Sequence, residues 1–143
     1  MYEKKVIGLE EVQKAIEAMI KEGSKARPVS IAVVDDVGEI IALVRMDGAR
    51  GFTNDMAIKK AYTSARWRRD TRGVGERLAL LKQPSSVLEY SSEYSTVPGG
   101  IVVVKPGEEV VYGAIGVSGR RRDDPVDDEA IAKIGLKVIQ TIL

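Results

Sequence analysis

A chain of 143 residues, 44% of them hydrophobic, is sized for one domain with its own core, expected to span residues 1–143. Lysine plus arginine number 22 against 21 for aspartate plus glutamate, so no overall field draws the chain to nucleic acid or to an anionic membrane. Cysteine and histidine are both absent, which excludes disulfides, thiol nucleophiles, thiolate metal sites, the Ser-His-Asp arrangement and the commonest zinc ligand.

No apolar run reaches the roughly 18 residues of a membrane span, and the N-terminal stretch lacks an uninterrupted signal-peptide core, so a cytoplasmic location is expected. In chain order, Leu9, Val12, Ile16, Met19 and Ile20 recur at helical spacing, with Glu10 and Glu11 in the first turn and Gly23 near the end. Residues 30–35 and 40–46 are β-rich runs, and the Asp-Asp-Val-Gly between them is a hairpin turn signal. A second helix is predicted over 53–69, with Thr53, Asn54 or Asp55 as its cap and a small face of Ala57, Ala61, Ser64 and Ala65. A short helical turn follows at about 76–81, and 83–98 reads as irregular or weakly helical. Residues 101–105 and 110–117 form a second hairpin through a Lys-Pro-Gly-Glu turn. Asp127 then caps a final helix to Ile142, with Asp128 and Glu129 in its first turn and Ile131, Ile134, Val138 and Ile142 as its buried stripe. Two hairpins separated by helices imply an α+β fold, an antiparallel sheet with helices packed on it.

The runs VSIAVVDDVGEIIALVRMDGA (29–49), MAIKKAYTSA (56–65), PGG (98–100), GAIGVSG (113–119) and DEAIAKIGL (128–136) resemble the GlcG/HbpS family. That family also contains the C-terminal domain of PduO-type corrinoid adenosyltransferases, whose adenosyltransferase chemistry lies in the other domain. The resemblance covers nearly the whole chain, from about Leu9 to Leu143. It implies profilin-like or roadblock-like α/β/α layers with a five-stranded antiparallel sheet, assembly into homo-oligomers, and an association with haem or corrinoid binding and with catabolic operons. The chain departs from the family pattern at GGIVV, where the usual proline is lost, and in the arginine-rich segment after KKAYTSA. It also departs in having no histidine, which excludes a histidine-ligated haem; the cofactor is otherwise unknown, with a corrinoid or a haem held without histidine left open.

The motifs nominate Arg45, Asp47, Lys60, Gly99, Gly100, Gly116, Val117, Ser118 and Gly119 as ligand-binding residues, with Lys60 as the catalytic candidate. The small-residue loop at 116–119, feeding a helix start, can present N–H groups to a carboxylate or phosphate, or it can simply satisfy strand-exit geometry. Arg45 can clamp a carboxylate or pair locally with Asp47. Lys60 becomes a base or amine nucleophile if it is buried near that loop, whereas a helical lysine is more often solvated. The span 45–82 carries ten basic residues against four acidic ones, with Trp67 interleaved, and reads as contact between copies of the chain rather than a nucleic-acid stripe. Arg120, Arg121 and Arg122 lie beyond the family motif and read as interface residues. Asp35, Asp36 and the acids of 123–128 read as turn and cap residues, so no metal is expected. Three functions fit these residues. The first is a homo-oligomeric protein binding a small anionic or cofactor-like molecule, accessory to a catabolic or cofactor pathway. The second is an enzyme using Lys60 and the 116–119 loop; the third is an oligomeric scaffold without a ligand.

Overall fold

The computed structural model describes residues 1–83 and 91–143. Its elements follow the hydrophobic pattern closely. Helix α1 (Leu9–Gly23) buries Val12, Ala15, Ile16 and Met19 on one side, and Gly8 N–H is taken by the Glu11 carboxylate at 2.6 Å. Strands β1 (Ser30–Val34) and β2 (Ile40–Arg45) form the first hairpin. Its turn is tied by Asp35 Oδ1, which accepts from Val37 N at 3.0 Å and Glu39 N at 2.9 Å. Helices α2 (Phe52–Trp67) and α3 (Thr71–Leu80) precede the hairpin of β3 (Gly100–Val104) and β4 (Val111–Ser118), and α4 (Asp128–Ile142) ends the chain. None of the described helices is long and apolar enough to cross a membrane.

The sheet is antiparallel in the order β2-β1-β4-β3, so the two hairpins meet along β1 and β4. It has four strands among the described residues, not the five that the family resemblance implies. The outer edge of β3 shows one reason. Thr71 Oγ1 accepts Gly100 N at 3.0 Å, Asp70 Oδ1 accepts Val102 N at 2.9 Å, and Gln140 Nε2 donates to Val104 O at 2.8 Å. Side chains take the bonds a fifth strand would make there. Burial holds the Asp70 carboxyl above its ordinary value, against the opposing pull of the Val102 N–H.

Strand alternation divides the sheet into two faces. Ile31, Val33, Ile101, Val103, Ile115 and Val117 pack against α1 and α4. Ala32, Val34 and Ala114 pack against Ala57, Ala61 and Ala65 of α2. On this second face Gly100 and Gly116 are cross-strand partners. A Cβ on Gly116 would collide with the Ala57 carbonyl oxygen and lie 2.6 Å from Ala61 N; one on Gly100 would meet the Lys60 carbonyl and lie 2.7 Å from Ser64 Oγ. The α2 backbone therefore rests directly on the strands, which is the use of its small-residue face.

Two boundaries differ from the sequence reading. Helix α2 begins at Phe52 with Gly51 in the cap position and no side-chain cap, because Thr53 and Asn54 are turned inward to the Ser30 hydroxyl, at 2.8 and 2.7 Å. Helix α3 begins near residue 71 rather than 76, started by the same Asp70 and Thr71 that cover the β3 edge. Of the stretch 83–98, residues 91–98 hold no helix or strand, and 84–90 lie outside the described residues.

A candidate ligand cavity at the exit of strand β4

Lys60 lies on the sheet-facing side of α2 and is 1% exposed. The glycines leave room for it: a Cβ on Gly99 would lie 3.0 Å from Lys60 Cδ and 2.9 Å from its Nζ. The side chain thus runs across the Gly99 backbone toward the end of β4. There Nζ donates to the Val117 carbonyl at 2.8 Å and to Asp128 Oδ2 at 3.1 Å. Asp128 is the first residue of α4, and its Oδ1 accepts Arg120 N at 2.8 Å. Burial lowers the Lys60 pKa and raises that of Asp128, each working against the attraction of the other; the N–H groups of Arg120 and Gly119 also favour the Asp128 carboxylate. The loop after β4 does present N–H groups to a carboxylate at a helix start, and that carboxylate belongs to the chain itself.

Arg120 is buried as well, at 9% exposed. Its guanidinium donates to the carbonyls of Arg27 and Val126, both at 2.7 Å, and of Gly23 at 3.0 Å. It ties the end of α1 to the loop before α4, satisfying a C-terminal helix carbonyl. This corrects the interface reading for Arg120; Arg121 and Arg122 are exposed. The arginine-rich segment also finds partners inside the chain. Arg66 lies over the Tyr62 ring at 5.0 Å and donates to Tyr94 Oη at 3.1 Å, and Arg72 pairs with Glu129 at 2.9 Å.

Beside the Lys60–Asp128 pair opens a cavity of about 360 Å³. Among the described residues its lining holds five cationic side chains, Arg27, Arg50, Lys60, Arg120 and Arg121, and one carboxylate, Asp128. Pro28, Phe52, Met56 and Val97 supply an apolar wall. Ser118 and Gly119 from the GAIGVSG motif and Gly48 and Ala49 from RMDGA also reach it.

Of the residues nominated from sequence, Lys60, Ser118 and Gly119 line this cavity. Val117 contributes its carbonyl to Lys60, Gly99 lies against the lysine side chain, and Gly100 and Gly116 lie under α2. Arg45 and Asp47 are exposed, do not line the cavity and form no ion pair with each other. No sequence motif singles out Arg27, Arg50, Phe52 or Met56, and Asp128 reads in sequence only as a helix-start acid. Arg50 stands one residue beyond RMDGA, which was a usable signal; nothing in the local pattern marks Arg27.

The structure is an α+β fold with a cationic recess where the longest of its described strands runs into its last helix. The sequence profile of the family described as "Haem degrading protein HbpS-like" matches residues 7–137, and the chain belongs to the HbpS-like family. It is 36% identical over 90 residues to Protein GlcG of Escherichia coli K12, a match spanning 63% of this chain and 63% of GlcG. Its structure is similar to that of a double mutant of Streptomyces reticuli HbpS, with a TM-score of 0.81 at 30% identity over 96% of this chain and 90% of that one. The fold is shared with protein ORFY of Klebsiella pneumoniae, with a TM-score of 0.86 at 23% identity over 97% and 94% of the two chains. It is shared also with the protein of a PduOC:heme complex, with a TM-score of 0.82 at 19% identity over 93% and 94%.

The family name raises haem as a ligand, and the donors in the cavity do not suit it. The chain has no histidine or cysteine, and no tyrosine is among the described lining residues. The Met56 thioether is the one sulfur there, and Lys60 is already engaged by Val117 and Asp128. The usual axial ligands of haem iron are therefore missing apart from a lone thioether.

Proposed function

We propose that this protein binds a small anionic molecule in the cavity at the exit of β4. The observation that carries the proposal is the excess of cationic over acidic side chains around a half-open recess with an apolar wall. Arg120 spends its guanidinium on backbone carbonyls, and Lys60 is matched by Asp128. Arg27, Arg50 and Arg121 remain at the mouth with a net positive field, offset in part by Asp124, which stands 4.0 Å from Arg27. Planar guanidinium groups suit a carboxylate, which they bind in bidentate fashion. The cavity is at the small end of the range for ligand pockets, which favours a compact ligand. Membership of a family with a haem-named profile supports small-molecule binding in general.

Thermal unfolding tests the reading directly. A carboxylate such as propionate or benzoate, present at about 100 times its Kd, stabilises the native state by about 2.7 kcal/mol. The response is expected to exceed that to sodium chloride at equal ionic strength. The Arg121 guanidinium has no partner among the described residues, so Arg121→Ala should leave the unliganded melting temperature unchanged and weaken the carboxylate response. Equal responses to carboxylate and chloride would overturn the proposal.

A further inference from the structure

We infer that the ligand of this cavity is a short oxo- or hydroxycarboxylate, its carboxylate held by the arginines of the mouth and its neutral oxygen received at the floor by Lys60 and Ser118. The inference rests on the anion-binding reading above and adds to it the chemistry of the ligand's second group.

The floor offers hydrogen-bond donors without net charge. The Lys60 ammonium has three N–H donors, of which Val117 and Asp128 take two. The third has no partner among the described residues, and Lys60 lines the cavity. Its positive charge is already matched by Asp128 at 3.1 Å. A second carboxylate at the floor would stand beside Asp128, in surroundings where burial already disfavours one negative charge, and would be repelled. A carbonyl or hydroxyl oxygen accepts the same N–H without that repulsion.

Ser118 is a second, independent donor. It is 5% exposed, lines the cavity, and its hydroxyl has no hydrogen-bond partner among the described residues. The contrast with its neighbour is informative. Ser30 is its cross-strand partner on the same face of the sheet, and the Ser30 hydroxyl is bonded to both Thr53 and Asn54. One serine of the pair is spent on the fold; the other is left facing the cavity. Among the described residues the hydroxyl buried without a partner is that of Ser64, whereas the Ser118 hydroxyl opens onto the cavity and is free to meet a ligand there.

The mouth has the opposite character. Arg50 lies 5.6 Å from the Phe52 ring centroid, Arg27 reaches Asp124 only at 4.0 Å, and the Arg121 guanidinium is unpartnered among the described residues. Anionic charge is therefore matched at the mouth and neutral acceptors at the floor. The apolar wall of Met56, Phe52 and Val97 accommodates the carbon skeleton that joins the two ends.

Calorimetric titration of the full chain with pyruvate, lactate, propionate and malonate separates the possibilities. Pyruvate or lactate is expected to bind at least about tenfold more tightly than propionate, which has the carboxylate and lacks the second oxygen; tenfold corresponds to about 1.4 kcal/mol. Ser118→Ala should narrow that preference, weakening pyruvate and lactate more than propionate. It removes no side-chain hydrogen bond among the described residues, and an unchanged melting temperature would verify that it folds. Equal affinity for pyruvate, lactate and propionate would overturn the inference while preserving the anion-binding reading. So would tightest binding of malonate, or a preference that survives intact in Ser118→Ala. No binding of any of the four beyond the effect of chloride would overturn both.

Discussion

The two faces of the sheet are built by opposite rules. Under α1 and α4 the strands present isoleucine and valine, answered by Val12, Met19, Ile131 and Ile139. Under α2 they present mainly alanine and glycine, with Val34 at one end, answered by Ala57, Ala61 and Ala65. Side chains hold the layers apart on the first face, whereas backbones nearly touch on the second. Burial of branched side chains contributes roughly 1.5–3 kcal/mol each, so the first face carries most of the hydrophobic stabilisation. The second buries little apolar volume and instead fixes position. Because α2 lies so close, the Lys60 side chain can cross Gly99 and deliver its ammonium to the end of β4. The candidate site stands at the edge of the bare face.

The most severe way to break this contrast is to remove the charge that the bare face carries. Lys60→Met leaves Asp128 buried without its cation, a loss of about 3–5 kcal/mol at neutral pH by urea unfolding. The pH dependence has a definite sign. Asp128 is already held above its ordinary value of 3.8 by burial, and loss of the Lys60 ammonium raises it further. A raised carboxyl leaves the native state binding its proton more readily than the unfolded chain, so stability falls as pH rises from the unfolded to the folded pKa. The Lys60→Met deficit should therefore be smallest near pH 4 and widen toward neutrality. Adding Asp128→Asn should restore most of the loss. A deficit independent of pH would show that Lys60 acts by packing alone.

A methyl group separates the faces next. Gly116→Ala sets a Cβ against the backbone of Ala57 and Ala61, which cannot rotate away, and should cost about 3 kcal/mol. Gly135→Ala on α4 is also crowded, though less so, with the Cβ at 2.6 Å from Met19 Sδ and 2.7 Å from its Cε. Those atoms end a flexible side chain, and alanine gains about 1 kcal/mol over glycine in a helix interior. The net change at Gly135 should stay within about 1 kcal/mol of zero. Equal losses at the two glycines would erase the distinction between backbone-limited and side-chain-limited packing.

The sequence was legible where structure is periodic. The four strands coincide with the apolar, β-rich runs, and Asp127 is the α4 cap. Helical spacing finds most of the α1 face, although Leu9 at its start is exposed. It misplaces the α4 stripe: the buried residues are Ile131, Ala132, Gly135 and Ile139, whereas Ile134 and Val138 are half-buried and Ile142 is exposed. The face with the small Ala132 and Gly135 is the one that meets Met19 and the sheet. The illegible parts are contacts between residues far apart in the chain. Lys60 and Asp128 meet across 68 positions, and no local pattern distinguishes a lysine that crosses a glycine from one that faces water. Asp128 reads locally as favourable helix-start charge, and that reading is correct but incomplete. Thr53 fits every local rule for a cap, yet it faces Ser30 because α2 lies close enough to the sheet for the two hydroxyls to meet. Arg120 sits in a run of three arginines that look alike in sequence, and only the fold places one of them among backbone carbonyls.

The smallest effect concerns how the start of α4 is held, since that start carries Asp128 into the site. Asp127 Oδ1 accepts Ala130 N at 2.9 Å, and its removal in Asp127→Ala should cost about 1 kcal/mol. Asp127→Asn retains the capping oxygen and should remain near wild type, although its lost charge withdraws one of the influences that raise the Lys60 pKa. The two variants thus separate capping from electrostatics at a single position. Thermal unfolding should rank wild type and Asp127→Asn together, with Asp127→Ala below them. If Asp127→Ala melts with the wild type, the first turn of α4 is anchored by the Lys60–Asp128–Arg120 contacts rather than by its cap. The bare face would then be holding the helix as well as positioning the lysine.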